Sequence, residues 1–231
     1  MQLLYTEACP RARVFPQDVG RQSSSGRSSL YVPSIKVAMC TGNEGKFRTA
    51  QEHLARWSIE VEQVALELDE IQTTSVAEVA QHKAKQAFTI LRRPLFVEDS
   101  GFYIDEFGGW PGPMVKQALE AFGPDGLTHL ADLTAKRACR FASAAVYVDE
   151  QGELHTFSDE FRKPGTIAAT PDRGDGPRSW SDLWSIFIPE GATATLAALP
   201  PVQQDQLFGE WAKCSVVAAL GEWLARPVSP R

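Results

Sequence analysis

The chain has 231 residues, 43% hydrophobic and 23% charged, with 29 acidic against 23 basic side chains and a formal charge of −6. That length holds one sizeable domain with a full core, and the acidic balance argues against general nucleic-acid binding while leaving room for a small anion met by local lysines. Cys9, Cys40, Cys139 and Cys214 are widely separated and form no CxxC pair, which points away from a zinc site or disulfide framework and toward a reducing cytoplasm. No apolar run approaches membrane-spanning length.

Residues 1–34 differ from the rest. They hold four Arg and the run Ser23-Ser24-Ser25-Gly26-Arg27-Ser28-Ser29 without sustained periodicity, the composition of a disordered leader. A targeting peptide is the alternative, diluted by Glu7 and Asp18; an over-extended reading frame is another. The domain proper is expected at 35–226.

Ile35 to Cys40 reads as a first strand, followed by the turn Thr41-Gly42-Asn43-Glu44-Gly45-Lys46 and a helix with Phe47, Ala50, Leu54 and Trp57 on one face. Strand, Gly-containing turn and helix N-terminus form an arrangement that aims backbone N–H groups at phosphate, with Lys46 adding a point charge. It is not a P-loop, and a capped turn with a surface lysine fits equally well. Glu60 to Leu66 alternates as a strand and leads to the acids of Leu68-Asp69-Glu70-Ile71-Gln72. Ser75-Val76-Ala77-Glu78 is a capping box that opens a helix to about Leu91. Lys83 falls on the apolar face of that helix, where a lysine either snorkels or meets an anion in a cleft.

Leu95-Phe96-Val97 reads as a short buried strand that ends at Gly101 and delivers Glu98 and Asp99 onto a turn. Ligands in open α/β sheets bind beyond the strands' carboxyl ends, so these acids are candidates for chemistry. Because side chains alternate, only one points cleanly into a given site, and Asp99 is the choice; a solvated acidic strand end is the plain alternative. Gly108-Gly109-Trp110-Pro111-Gly112-Pro113 is a shaped loop, and two helices follow at Met114–Phe122 (carrying Lys116) and 125–135. Strands are expected at 140–148, 154–161 and 165–168, then a polar loop at 171–177. After it come Trp180, Asp182, Trp184 and a short strand, and one helix at about 203–225 with Leu207, Trp211, Cys214, Ala218, Gly221 and Leu224 on one face.

Thr-Gly-Asn-x-x-Lys at 41–46, Leu-Asp-Glu-Ile-Gln at 68–72, Val-Glu-Asp-Ser-Gly at 97–101 and Gly-Gly-Trp-Pro-Gly-Pro-Met-Val-Lys at 108–116 resemble, in order and spacing, the inosine triphosphatase (Ham1-like) family. The resemblance extends over about 35–200. It implies a mixed, twisted α/β sheet with flanking helices and two lobes around a central cleft, and usually a homodimer. It implies Mg²⁺-dependent hydrolysis of a nucleoside triphosphate to monophosphate and pyrophosphate. Glu70 and Asp99 would hold the metal; Lys46, Lys83 and Lys116 would meet the phosphates; Thr41, Gly42, Asn43, Ser100 and Gly101 would line the pocket. Hard Mg²⁺ needs only one or two protein carboxylates beside phosphate and water, and lysines stabilise charge on the leaving group. Asp99 or Glu98 would act on the attacking water.

The base-reading half departs from the family. Where the family has Phe-Gly-Trp/Tyr-Asp-Pro, this chain has Trp180-Ser181-Asp182-Leu183-Trp184-Ser185; where it has Lys-Asn and then Ser-His-Arg, this chain has Gln204-Asp205 and Phe208-Gly209-Glu210. Losing polar groups matched to a base edge changes specificity. The expectation is an active pyrophosphatase acting on a modified or non-standard nucleotide with altered base preference. Trp180, Asp182, Trp184 and Glu210 are then the candidate base contacts, and Glu210 is suited to an exocyclic amine. The alternatives are an ordinary house-cleaning enzyme whose base-reading residues lie elsewhere, and a catalytically inactive nucleotide-binding or interaction protein.

Overall fold

The computed structural model describes Arg13–Val14 and residues 35–159, 163–174 and 181–226. Trp180, part of the polar loop and all of the leader except Arg13–Val14 lie outside the described residues. The strands are β1 (Arg13–Val14), β2 (Ile35–Cys40), β3 (Ile59–Val64), β4 (Leu95–Ile104), β5 (Pro111–Gly112), β6 (Ala138–Val148), β7 (Leu154–Ser158), β8 (Lys163–Ile167) and β9 (Phe187–Pro189). The helices are α1 (Glu44–Ala55), α2 (Val76–Leu91), α3 (Val115–Ala131), α4 (Pro201–Lys213) and α5 (Val216–Leu224). None of the helices among the described residues is long and apolar enough to cross a membrane.

The sheet runs β1-β7-β6-β4-β2-β3, with β5 on β4, β8 on β6 and β9 on β8. The β2 pairings with β3 and β4 are parallel and the others antiparallel, so the sheet is mixed, as expected. Two cores cover its opposite faces at one end. Val37, Met39, Phe96 and Tyr147 pack with α1 and α5, while Ala38, Leu95, Val97 and Val146 pack with α2. A third core at the far end joins Phe102, Ile104, Phe187, Leu127 and Leu183 with α3 and, through Leu207, Phe208 and Trp211, with α4. The two ends are the two lobes.

Local chemistry explains the helix boundaries. Asn43 caps α1 by accepting from the Lys46 N–H, and Ser75 caps α2 by accepting from the Glu78 N–H. The return half of that capping box passes through Thr73, whose hydroxyl accepts from the Ser75 N–H and donates to Glu78. The two helices expected at 114–135 lie end to end within α3, separated at Gly123, whose φ of 62° and ψ of 180° are not helical and which Pro124 follows.

Two expectations are corrected. The strand thought to end at Gly101 continues to Ile104, because β6 pairs with it along its whole length, from Leu95↔Val148 to Ile104↔Cys139. Glu98 and Asp99 are therefore mid-strand and not on a turn. The single helix expected at 203–225 breaks at Cys214–Ser215, where Ser215 caps α5 by accepting from the Ala218 N–H. The break lets α4 serve the far core while α5 serves the near one.

At that break, His53 of α1 hydrogen-bonds Ser215 (Nδ1···Oγ 3.1 Å). Burial, then the charges of Arg56 and Lys163, push its pKa down from 6.5 to about 4. Below pH 6.5 the unfolded chain takes up a proton that the folded chain refuses, so this stabilisation is complete above pH 6.5 and lost as pH falls toward 4. Discounted for partial exposure, the loss is about 1–2 kcal/mol. Urea melts at pH 7 and pH 4.5 are expected to show a smaller acid loss in His53→Gln than in the wild type; equal losses would contradict the assignment.

Candidate active site

A gap in the sheet creates the site. On one edge of β4, β2 pairs only with Leu95 and Phe96, and β5 only with Phe102 and Tyr103. Between them, Val97 to Gly101 have, among the described residues, a strand neighbour on the β6 side alone. Edge groups there are open to side chains or a ligand instead of a ladder. The turn after β2, with Thr41, Gly42 and Asn43, leads from this gap into the N-terminus of α1.

Alternation sends Glu98 and Asp99 to opposite faces. Glu98 lies between Phe96 of the near core and Phe102 of the far core, on the face of β4 opposite Asp99. Lys46 reaches it there, with Nζ 3.0 Å from Oε2 and also donating to the Glu98 carbonyl at 3.4 Å. Both side chains are largely shielded (18% and 11% exposed). Asp99 turns toward α2, where Lys83 Nζ donates to Asp99 Oδ2 at 2.7 Å and to Glu70 Oε1 at 2.5 Å. Asp99 Oδ1 accepts from the Ser100 N–H. Burial of Lys83 pulls its pKa down, but Asp99 and then Glu70 outweigh that and hold it above the usual lysine value. It is a charged ammonium bridging two carboxylates from separate elements.

Glu70 sits on the segment between β3 and α2, about half-exposed. A residue that no motif singles out, Gln86, holds that segment: its amide accepts from the Asp69 N–H (3.1 Å) and donates to the Asp69 carbonyl (3.0 Å). Its spacing, three residues past Lys83 on the same helix, is the one signal that the sequence offered. Beside Glu70 a hollow of about 160 Å³ is bordered by Val79, Pro113, Met114 and Gln117.

The remaining candidates stand as follows. Thr41 accepts from the Asn43 N–H. A Cβ on Gly42 would meet nothing within 4 Å, whereas one on Gly101 would collide with the Gly112 backbone and with Tyr103. The glycine at 101 is thus demanded by the packing of β5 on β4, and the one at 42 has no internal reason. Lys116 is not brought to the cluster; it is 83% exposed and 4.0 Å from Glu120. Asp182 pairs with Arg173 at 3.0 Å near solvent. Trp184 is buried in the far core with its ring 5.2 Å from that of Phe208. Gln204, also buried, donates to the carbonyls of Leu196 and Ala197. Glu210 is half-buried on α4 and accepts from Gln206 at 3.4 Å.

Among the described residues no group of three or more His, Cys, Asp or Glu gathers to hold a metal. Yet oxygens of Glu70 and Asp99 lie within 2.7 Å of one ammonium nitrogen, so a cation already sits where both can reach it. Two carboxylates and no nitrogen or sulfur donor suit a hard divalent ion that keeps most of its water.

The profile of the Ham1 family matches residues 37–208. A dITP/XTP pyrophosphatase of Methanopyrus kandleri is 35% identical over 79% of this chain and 98% of its own length. Inosine triphosphate pyrophosphatase 2 of Trypanosoma cruzi is 36% identical over 74% of this chain and 85% of its own. The crystal structure of a nucleoside-triphosphatase, dITP/XTP pyrophosphatase, from Mycobacterium abscessus superposes with a TM-score of 0.63 at 25% identity, covering 80% of this chain and 97% of that one. The profile match spans all four motifs, and the relatives align over 85–98% of their own length: the protein belongs to the Ham1 family.

Proposed function

We infer that this chain hydrolyses a nucleoside triphosphate, and that it cleaves between the α and β phosphates with Mg²⁺ to give monophosphate and pyrophosphate. The observation that carries this reading is the Glu70–Lys83–Asp99 bridge at the sheet gap, with the Lys46–Glu98 pair on the other side of the same strand. Relatives named as dITP/XTP and inosine triphosphate pyrophosphatases support it. Glu70 and Asp99 would hold the metal, which supplies Lewis-acid polarisation of the phosphoryl group.

The protein's own side chains do the rest. Lys83, released from its two carboxylates, turns its charge to the phosphates; Lys46 does so from the α1 side, next to the Thr41–Asn43 turn and the helix N-terminus. Water adds to phosphorus, the α–β P–O bond breaks, and the pyrophosphate leaves carrying charge that these ammonium groups stabilise. The proton lost by the water goes to a carboxylate on β4. Asp99 is the choice, since it stands with Glu70 at the proposed metal position, whereas Glu98 faces the other side of β4. Lys116, exposed at the start of α3, would join from outside this cluster. A homodimer is the expectation carried by the family resemblance, and a reducing cytoplasm the one carried by the separated cysteines.

The base preference departs from that of a 6-keto purine enzyme. Gln204 spends its amide on Leu196 and Ala197, and Phe208 packs against Trp184 with its ring tilted, so the segment at the place of the family's cationic base reader is turned to internal packing here, with the acid Glu210 beside it. Glu210 accepts hydrogen bonds and suits an exocyclic amine, which a 6-keto purine lacks at that position. In a panel of ribo- and deoxyribonucleoside triphosphates scored by kcat/KM, amine-bearing bases are expected to match or exceed inosine and xanthosine triphosphates. Inosine and xanthosine triphosphates far ahead of all others would refute the altered preference.

A further inference from the structure

The geometry points to Gln86 as a positioning residue that fixes Glu70 for metal binding; this rests on the reading of Glu70 and Asp99 as the metal pair. Asp99 is held by the sheet: it lies in the middle of β4, paired along its length with β6. Glu70 has no such support. It lies on a segment outside regular structure, with about half of its side chain in solvent. Its tie to Asp99 runs through Lys83, the same ammonium that must leave when a cation and phosphates take its place. The segment therefore needs an anchor that survives the loss of Lys83.

Gln86 is that anchor. Its amide engages both backbone groups of Asp69, the residue before Glu70, with bonds of 3.1 and 3.0 Å. The pairing is two-sided: a backbone N–H needs an acceptor and a carbonyl needs a donor, and a primary amide presents both in one plane. The same match settles the orientation of the amide, since a flipped one would oppose donor to donor and acceptor to acceptor. Glutamate would keep the acceptor and set a second negative oxygen against the Asp69 carbonyl; leucine would lose both bonds at similar size. Because Gln86 and Lys83 are three apart on α2, the helix that carries the ammonium also carries the anchor, so Glu70 stays in register with Lys83 and Asp99. Other ties hold the far end of the segment: Tyr103 Oη donates to the Thr74 carbonyl, and Thr73 joins the α2 cap. Their position, several residues past Glu70, leaves Gln86 as the contact next to it.

The test measures Mn²⁺ binding by electron paramagnetic resonance without nucleotide, alongside the Mg²⁺ concentration for half-maximal pyrophosphate release and the melting temperature. Gln86→Leu is expected to weaken Mn²⁺ binding about tenfold and raise the half-maximal Mg²⁺ similarly, with kcat at saturating Mg²⁺ within about twofold of wild type. Gln86→Glu is expected to fall between the two, and it serves if the leucine variant melts too low to assay. A fall in kcat with an unchanged metal requirement would overturn the positioning role. Glu70→Gln separates the two levels: if it weakens Mn²⁺ binding and Gln86→Leu does not, only the anchor fails. If Glu70→Gln itself leaves Mn²⁺ binding unchanged, the metal reading fails and the anchor with it.

Discussion

Asp99→Asn is expected to lower pyrophosphate release by about 10³-fold or more, with the fold retained. The substitution preserves shape and the hydrogen bond accepted from the Ser100 N–H while removing the charge that faces Lys83 at 2.7 Å. It takes away a metal-holding oxygen and the preferred proton acceptor at once, and groups that act as a unit lose far more than either role alone. Glu98→Gln on the opposite face removes the partner of Lys46, which stays tethered by the Glu98 carbonyl. Its expected loss is smaller, about tenfold, and appears mainly in KM. Steady-state kinetics on the two variants, with circular dichroism to check folding, decide between the acids. A near-silent Asp99→Asn beside a dead Glu98→Gln would reverse their roles.

Gly101→Ala is expected to destabilise the protein by about 2–3 kcal/mol, a fall of roughly 5–10 °C in melting temperature for a domain of this size. The added Cβ would stand 2.7 Å and 2.8 Å from the carbonyl carbon and oxygen of Gly112, and 2.9 Å from Tyr103. Backbone atoms cannot swing aside as a side-chain end can, so β5 must lift from β4 and the far rim of the gap opens. Gly42→Ala is the control, with nothing within 4 Å of the new Cβ and a backbone outside the left-handed region. Its melting temperature is expected to stay within about 2 °C of wild type. Equal destabilisation by the two substitutions, read by thermal melts, would contradict the packing role given to Gly101.

Local signals carried much of the fold. The capping residues Asn43 and Ser75 and the apolar faces of α1 and α2 depend on neighbours a few residues away, and such patterns are visible in sequence. The extent of β4 was not, because it depends on pairing with β6, some forty residues on; a Gly in an apolar run looks like an end until a partner strand is known. The break at Cys214–Ser215 was hidden because the face from Leu207 to Leu224 keeps helical periodicity across it, although its two halves belong to different cores. In the site, Lys83 stood out as a charge on an apolar helix face. Its partners Glu70 and Asp99 came from motifs; strand alternation already divided Glu98 from Asp99, but nothing local showed that a lysine would meet each. Gln86 escaped notice because a half-exposed glutamine is ordinary on any helix, and its purpose appears only with the Asp69 backbone beside it. Conversely, the motif that suggested Lys116 as a phosphate contact carries no information about where a long, exposed side chain rests.

The most direct measurement is identification of the products that the purified wild-type protein forms from a nucleoside triphosphate, with Mg²⁺ and again with excess chelator. Monophosphate and pyrophosphate in equal amounts, absent under chelation, is the predicted result. Diphosphate with orthophosphate, or no turnover of any triphosphate with Mg²⁺ present, would contradict the account.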